Sequence, residues 1–241
     1  MSRSMIHVFR FVAALVLLLC AVGQAKANHV IDNSAFQTTI ISLGEQDGLP
    51  FAESAYFAQT FVSPGGVAKD LTIFIETGSP LPGEVLDDTK FHLLLTGFSG
   101  LHPTDVLFES GTIDVAPGGK FPPMPLTIGL ANTPLAAGQT FAFVLDTVVT
   151  RDGVGDAAAL GGNFITNTGN VGQLFSLSNN QSSGNRASDF STDWSSSPAV
   201  SLQFVMTFTP TVVPEPSTLV MSGTAALVGL GLAWRRRARQ A

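Results

Sequence analysis

Charge is scarce in this 241-residue sequence: Asp, Glu, Lys and Arg together make up 12%. That is about half of the roughly 25% usual in soluble domains. The shortage excludes a coiled coil, a helical bundle with solvated faces and a charged disordered tail. Basic residues are the scarcer sign, 12 Lys+Arg against 18 Asp+Glu, for a formal charge of -6. Nucleic acid is excluded as a partner, because phosphate backbones are held by basic surfaces. Cysteine occurs once, at Cys20, so neither a disulfide framework nor a thiolate metal site can form. Catalytic signatures are missing too. The sequence has no Gly-x-Ser-x-Gly elbow, His-Glu-x-x-His pair, P-loop or Rossmann glycine pattern.

Long apolar runs stand only at the two ends. At the start, Arg3 and Arg10 precede an apolar stretch of 12 residues from Phe11 to Val22, followed by Ala25-Lys26-Ala27. A basic region, a short apolar core and a small-x-small site are the parts of a secretory signal. Cleavage by signal peptidase is predicted after Ala27, with Ala25 and Ala27 as the small residues. Twelve residues fall short of the roughly 20 that span a bilayer, which favours removal over anchoring. Cys20 is preceded by Leu17-Leu18-Leu19, a poor lipobox, so it reads as part of the apolar core. Removal of residues 1–27 then leaves a mature chain without cysteine, which must hold itself together by its core alone.

At the other end, Leu219 to Trp234 is 16 residues without a charge, followed by Arg235, Arg236, Arg237 and Arg239. A helix of that length rises about 24 Å, slightly less than a hydrocarbon core of about 30 Å. The arginines stay cytoplasmic, which places the preceding domain outside and Trp234 at the interface. Ahead of the span stands Val213-Pro214-Glu215-Pro216-Ser217. The two prolines keep this peptide extended and outside any helix, with Glu215 exposed. Tripeptide, apolar span and arginine cluster follow one another within the last 29 residues. This tripartite ending resembles the PEP-CTERM sorting signal of Gram-negative bacteria. The resemblance implies recognition of Pro214, Glu215 and Pro216 by an exosortase, a membrane-embedded cysteine transpeptidase or protease, with processing nearby. It also implies a bacterium that makes exopolysaccharide and a final place on the cell surface or in the extracellular matrix. It covers about an eighth of the chain and confers an address, not an activity.

Between the ends, residues 28–213 carry five basic and seventeen acidic residues, a net -12. The pattern there is β. Tyr56 to Val62 and Leu71 to Ile75 alternate, and Phe91 to Phe98, Val106 to Glu109, Thr140 to Thr147, Asn163 to Thr166, Leu174 to Leu177 and Val200 to Phe208 are similar short runs. Turn clusters such as Ser63-Pro64-Gly65-Gly66 and Ala116-Pro117-Gly118-Gly119 separate them. Only a short stretch near Asp156 to Leu160 has helical character. The expectation is an all-β fold, an antiparallel sandwich of jelly-roll type. The predicted organisation is signal peptide 1–27, β-sandwich domain 28–208, linker with the tripeptide 209–218, transmembrane helix 219–234 and basic cytoplasmic tail 235–241. Ser176 to Ser197, with nine serines, reads as a long polar loop that does not pack.

Few residues in the domain carry candidate chemistry. Ser99, His102 and Asp105 lie close in sequence, but on a Gly/Pro loop they read as turn residues rather than a triad. Seventeen carboxylates read as a solubilising surface; a facing glycosidase pair is not identifiable from sequence. Asp152 and Asp156, on the Arg151-Asp152-Gly153-Val154-Gly155-Asp156 loop, are the candidate calcium ligands, and ordinary Asp/Gly turn chemistry is the competing reading. Trp194, the one tryptophan between residues 28 and 213, is the candidate glycan contact by ring stacking, against packing in a core or at an edge.

The expected function is that of a non-enzymatic, exosortase-processed matrix or cell-surface protein, structural or adhesive within exopolysaccharide or biofilm, without a cofactor. The alternatives are a glycan-binding, lectin-like module and, third, a secreted hydrolase. Expected partners are signal peptidase, exosortase, the inner membrane during sorting and exopolysaccharide.

Overall fold

The computed structural model describes residues 28–35, 38–43, 54–77, 88–116, 123–151, 158–164 and 170–210, with Ala225, Val228, Gly229 and Leu232 besides. Asn28–Pro210 is one compact unit; Met1–Ala27 and Thr211–Ala241 fall in a second. The four described residues of that second unit are helical. Among the described residues no helix is long and apolar enough to cross a membrane. The signal segment with Ala25 and Ala27, Pro214–Pro216, most of 219–234 and the terminal arginines lie outside them, as do Asp152 and Asp156.

The domain is all-β. Its described strands are β1 (His29–Asn33), β2 (Thr38–Leu43), β3 (Ser54–Val62), β4 (Gly66–Thr77), β5 (Thr89–Ser99), β6 (His102–Glu109), β7 (Ile113–Val115), β8 (Met124–Leu135), β9 (Thr140–Asp146), β10 (Ala158–Phe164), β11 (Val171–Ser178), β12 (Ser195–Ser197), β13 (Val200–Leu202) and β14 (Phe204–Thr209). One ladder runs β8–β4–β14–β1 and another β12–β11–β3–β9–β5–β6, with β7 beside the start of β5. β10 pairs with β4, β2 and β13, and β2 reaches β3 through the parallel bridge Leu43–Ser54, so the ladders are joined. The other pairings are antiparallel.

Side chains from both ladders meet in one core. Leu71, Ile73 and Ile75 of β4 and Phe204, Met206 and Phe208 of β14 pack in the same cluster as Phe57, Phe61, Leu93, Leu95, Phe141 and Phe143. The period of two along each strand puts these residues on one side. β4 alternates from Leu71 onward, with Leu71, Ile73 and Ile75 buried and Thr72 and Phe74 less so. β3 and β9 do not, because their other face is buried as well; Ala55, Tyr56, Ala58, Ala142 and Val144 belong to a second apolar cluster there. A strand buried on both faces reads as a continuous apolar run, as Phe141 to Leu145 does.

Sequence and structure differ at identifiable places. Ala158–Leu160, expected to have helical character, opens β10 instead, because it lies between β2 and β4 and completes both ladders. β8 went unrecognised: it holds Pro125, Gly129 and Pro134 and leaves most side chains exposed. It is an edge strand, where proline is tolerated. A break in the β4–β8 register accompanies Ala131 (φ 50°) and Asn132 (φ 57°), both left-handed. Such a conformation costs a non-glycine residue about 1–2 kcal/mol. Ala131→Gly is therefore expected to stabilise the domain by about 1 kcal/mol in urea unfolding. A loss of stability would mean that the left-handed pair is not strained.

Candidate functional site

The outer face of β3, β9 and β11 is not open to solvent. The serine-rich segment expected to be an unpacked polar loop lies across it. Asn185 caps the short helix α1 (Arg186–Asp189), its side-chain oxygen accepting from Ala187 N and Ser188 N. Beyond α1, Phe190 and Trp194 turn down onto Tyr56. The Tyr56 and Trp194 ring centroids are 5.2 Å apart, and Phe190 meets Trp194 edge-on at 5.7 Å. Those spacings lie within the favourable range for aromatic pairs. Trp194 is 2% exposed, and its indole Nε1 donates to Asp189 O at 2.9 Å. The expected sugar platform is thus corrected: with the ring covered, no indole face is available for stacking, and Trp194 is a core residue.

The serines that made the segment look unpackable hold it in place. Asp189, 1% exposed, accepts from Ser182 Oγ at 2.6 Å, Ser183 N at 2.7 Å and Ser183 Oγ at 2.7 Å. Burial pushes its carboxyl up, and these bonds outweigh that effect and hold it below the usual range.

Arg186 fastens the cover to the strands. Its guanidinium forks onto Glu109, Nη1 to Oε2 at 3.0 Å and Nη2 to Oε1 at 2.8 Å, and its Nε donates to Asp146 Oδ2 at 2.7 Å. Bidentate guanidinium–carboxylate pairs are the stronger and more directional kind. Glu109 also meets His92 Nδ1 at 2.7 Å, while His92 Nε2 lies 3.2 Å from Thr112 Oγ1. A carboxylate only accepts, so Nδ1 carries the hydrogen. The Arg186 bonds hold the Glu109 carboxyl down at about 2. Asp146 is fully buried; desolvation pushes its carboxyl up, against Arg186 and the Val148 amide, which donates at 2.9 Å.

Chemically this arrangement is a clamp. Both oxygens of Glu109 are engaged by one guanidinium, and Asp146 is buried beneath the same side chain. Ser99, His102 and Asp105 stand on the β5–β6 hairpin. Ser99 pairs with His102 across a tight turn with Gly100 at φ 64°, and His102 Nδ1 bonds Pro103 O at 3.0 Å. That is hairpin geometry with glycine first in the turn. Among the described residues no group of three or more His, Cys, Asp or Glu side chains is placed to hold a metal ion.

Sequence reasoning missed Arg186, Asp146, Glu109 and His92. One signal existed: Arg186 is one of two arginines in residues 28–213, set in a polar run amid seventeen acids.

Tyr56 is the chain's one tyrosine. Burial, then the charges of Asp146 and Asp189, push its phenol above the ordinary range. With the folded pKa raised, the stabilisation from the neutral phenol is full below about pH 10 and is lost above it. Tyrosinate absorbance should therefore grow in step with the loss of native circular dichroism at alkaline pH. Phenolate appearing near pH 10 with the native signal intact would contradict the buried placement. At acid pH the lowered Glu109 and Asp189 contribute stability that disappears as pH falls, and the raised Asp146 works in the opposite direction.

Comparison with known proteins bears on the tail. The PEP-CTERM protein-sorting motif matches residues 212–237. No curated protein and no solved structure matches the chain. The motif marks the chain as exported and exosortase-targeted, with an exosortase as its processing partner.

Proposed function

We propose that the acidic β domain is a structural or adhesive component of an extracellular polymer, delivered by two terminal addresses. Signal peptidase removes residues 1–27 after Ala27. The helix of residues 219–234 holds the chain in the inner membrane, with Arg235, Arg236, Arg237 and Arg239 on the cytoplasmic side. Exosortase then acts at Pro214-Glu215-Pro216 and frees the domain to the cell surface or matrix. The domain is a jelly-roll-like sandwich and works without catalysis or a cofactor. The observation that carries this reading is the sorting motif at 212–237, which begins just after the β unit ends at Pro210.

The cover supports a non-enzymatic role. Its His, Arg and carboxylate groups are turned toward one another and fasten a surface segment. A glycan-binding role built on Trp194 loses its platform to burial, so binding to polysaccharide would need another surface.

The test is to replace Pro214, Glu215 and Pro216 by alanine in a cell that has an exosortase. The expected result is an exported chain that keeps its C-terminal tail and stays with the membrane fraction. Processing and release equal to the unaltered chain would overturn the assignment of the tripeptide.

A further inference from the structure

The chain is held in the sheet up to Thr209. Phe208 pairs with His29 of β1 on one side and Ala68 of β4 on the other, and Thr209 pairs with Val67. Phe208 is fully buried, its ring 6.3 Å from that of Phe61. Lengthening the linker at the expense of β14 would therefore strip a core side chain and its strand pairings.

Two turns close around this exit. A Cβ on Gly66 (φ 107°) would overlap the Thr209 carbonyl oxygen and meet Pro210 Cα at 3.1 Å, and one on Gly65 (φ 84°) would meet Ala137 Cβ at 2.8 Å. Two glycine backbones thus fill the space between the exit and the turn after β8. Ser63 N donates to Gln139 O at 2.9 Å and Gly138 N to Ser63 O at 2.8 Å, while Gly65 N donates to Ser63 Oγ at 3.0 Å. The result is a bonded collar, residues 63–66 and 136–139, beside the point where the chain leaves the domain. Ala136, Ala137, Gly138 and Gln139 are exposed on it.

Only Thr211, Val212 and Val213 stand between Pro210 and Pro214. Four Cα steps of at most about 3.6 Å keep Pro214 within about 14 Å of Pro210. An enzyme that seats the tripeptide in a groove needs a wall on the side from which the chain enters, and a single helix is about 10–12 Å across. That wall takes up nearly all of the available length. Beyond the tripeptide, Ser217 and Thr218 alone precede the apolar span, so there is little slack on that side either.

We propose that the collar is the face on which the exosortase docks while it holds Pro214-Glu215-Pro216. The inference rests on the proposed action of the exosortase at that tripeptide. It makes the folded domain part of the substrate, because the enzyme meets the peptide and the turns at its origin together.

The experiment follows loss of the C-terminal tail from the full chain by pulse labelling in exosortase-bearing cells. Ala136→Trp with Gln139→Trp puts bulk on the collar and should slow processing by about tenfold or more. Asn180→Trp puts bulk on an exposed turn at the other end of the domain, where Ser178 pairs with Ser54, and should leave the rate unchanged. Twelve Gly/Ser residues inserted after Pro210 add about 20 Å of flexible reach. In that longer chain the tryptophan pair should change the rate by less than about twofold, since enzyme and collar no longer meet. A misfolded domain would not be rescued by a longer linker. An unchanged or faster rate for the tryptophan pair at native spacing overturns the docking face, as does a slow rate at both spacings. Processing that persists after Pro214, Glu215 and Pro216 are all replaced by alanine overturns the exosortase reading, and the proposal with it. Processing blocked by that replacement but indifferent to the collar overturns the proposal alone.

Discussion

Replacing Arg186 by alanine is expected to destabilise the domain by about 3–5 kcal/mol, the range found when one partner of a buried ion pair is removed. The size comes from Asp146, not from the more visible Glu109 contact. Asp146 is fully buried and Arg186 Nε is 2.7 Å from its carboxylate; without the guanidinium a desolvated charge is left with the Val148 and Val149 amides. Glu109 is 37% exposed and can be solvated, so Glu109→Gln should cost less than about 1 kcal/mol. The account also predicts a rescue. Arg186→Ala combined with Asp146→Asn removes the orphaned charge and should recover most of the loss, which a double-mutant cycle in urea would measure. A loss that is unchanged by Asp146→Asn would show that Arg186 acts by packing alone.

Trp194→Ala carries the other large effect, about 3–5 kcal/mol from the lost burial and the cavity left behind. Its local signature is more specific than its size. The ring packs between Tyr56 and Phe190 and its Nε1 bonds Asp189 O, so its loss should release the cover as a unit. Amide exchange in residues 179–194 should quicken by at least about tenfold, while β4 and β14 stay protected. Uniform exchange across the whole domain would mean that cover and main core unfold together.

How much of this was legible in the sequence depends on how each feature is built. A sorting tag is read as a linear peptide, so Pro214-Glu215-Pro216, the apolar span and the arginines are complete in the sequence. Strands with one face in water were legible as well, since the alternation of Leu71, Ile73 and Ile75 is itself the physical signal. The edge strand Met124–Leu135 was not, because Pro125, Gly129 and Pro134 interrupt the run, although Leu126, Ile128 and Leu130 alternate toward the core. The cover was misread for a different reason. Its serines suggested solvent, but composition does not say that Ser182 and Ser183 turn inward to a buried Asp189. The clamp was out of reach of local pattern altogether. Arg186 lies 77 residues from Glu109 and 40 from Asp146, so only the completed ladders bring the three together.

The central claim is that this acidic β domain is exported and then cut free of its tail. The intact mass of the protein recovered from the surface and medium of exosortase-bearing cells tests it most directly. The account predicts a chain that starts at Asn28 and has lost the apolar span and terminal arginines. A chain recovered with Leu219 to Ala241 still attached, in cells with and without the exosortase alike, would contradict it.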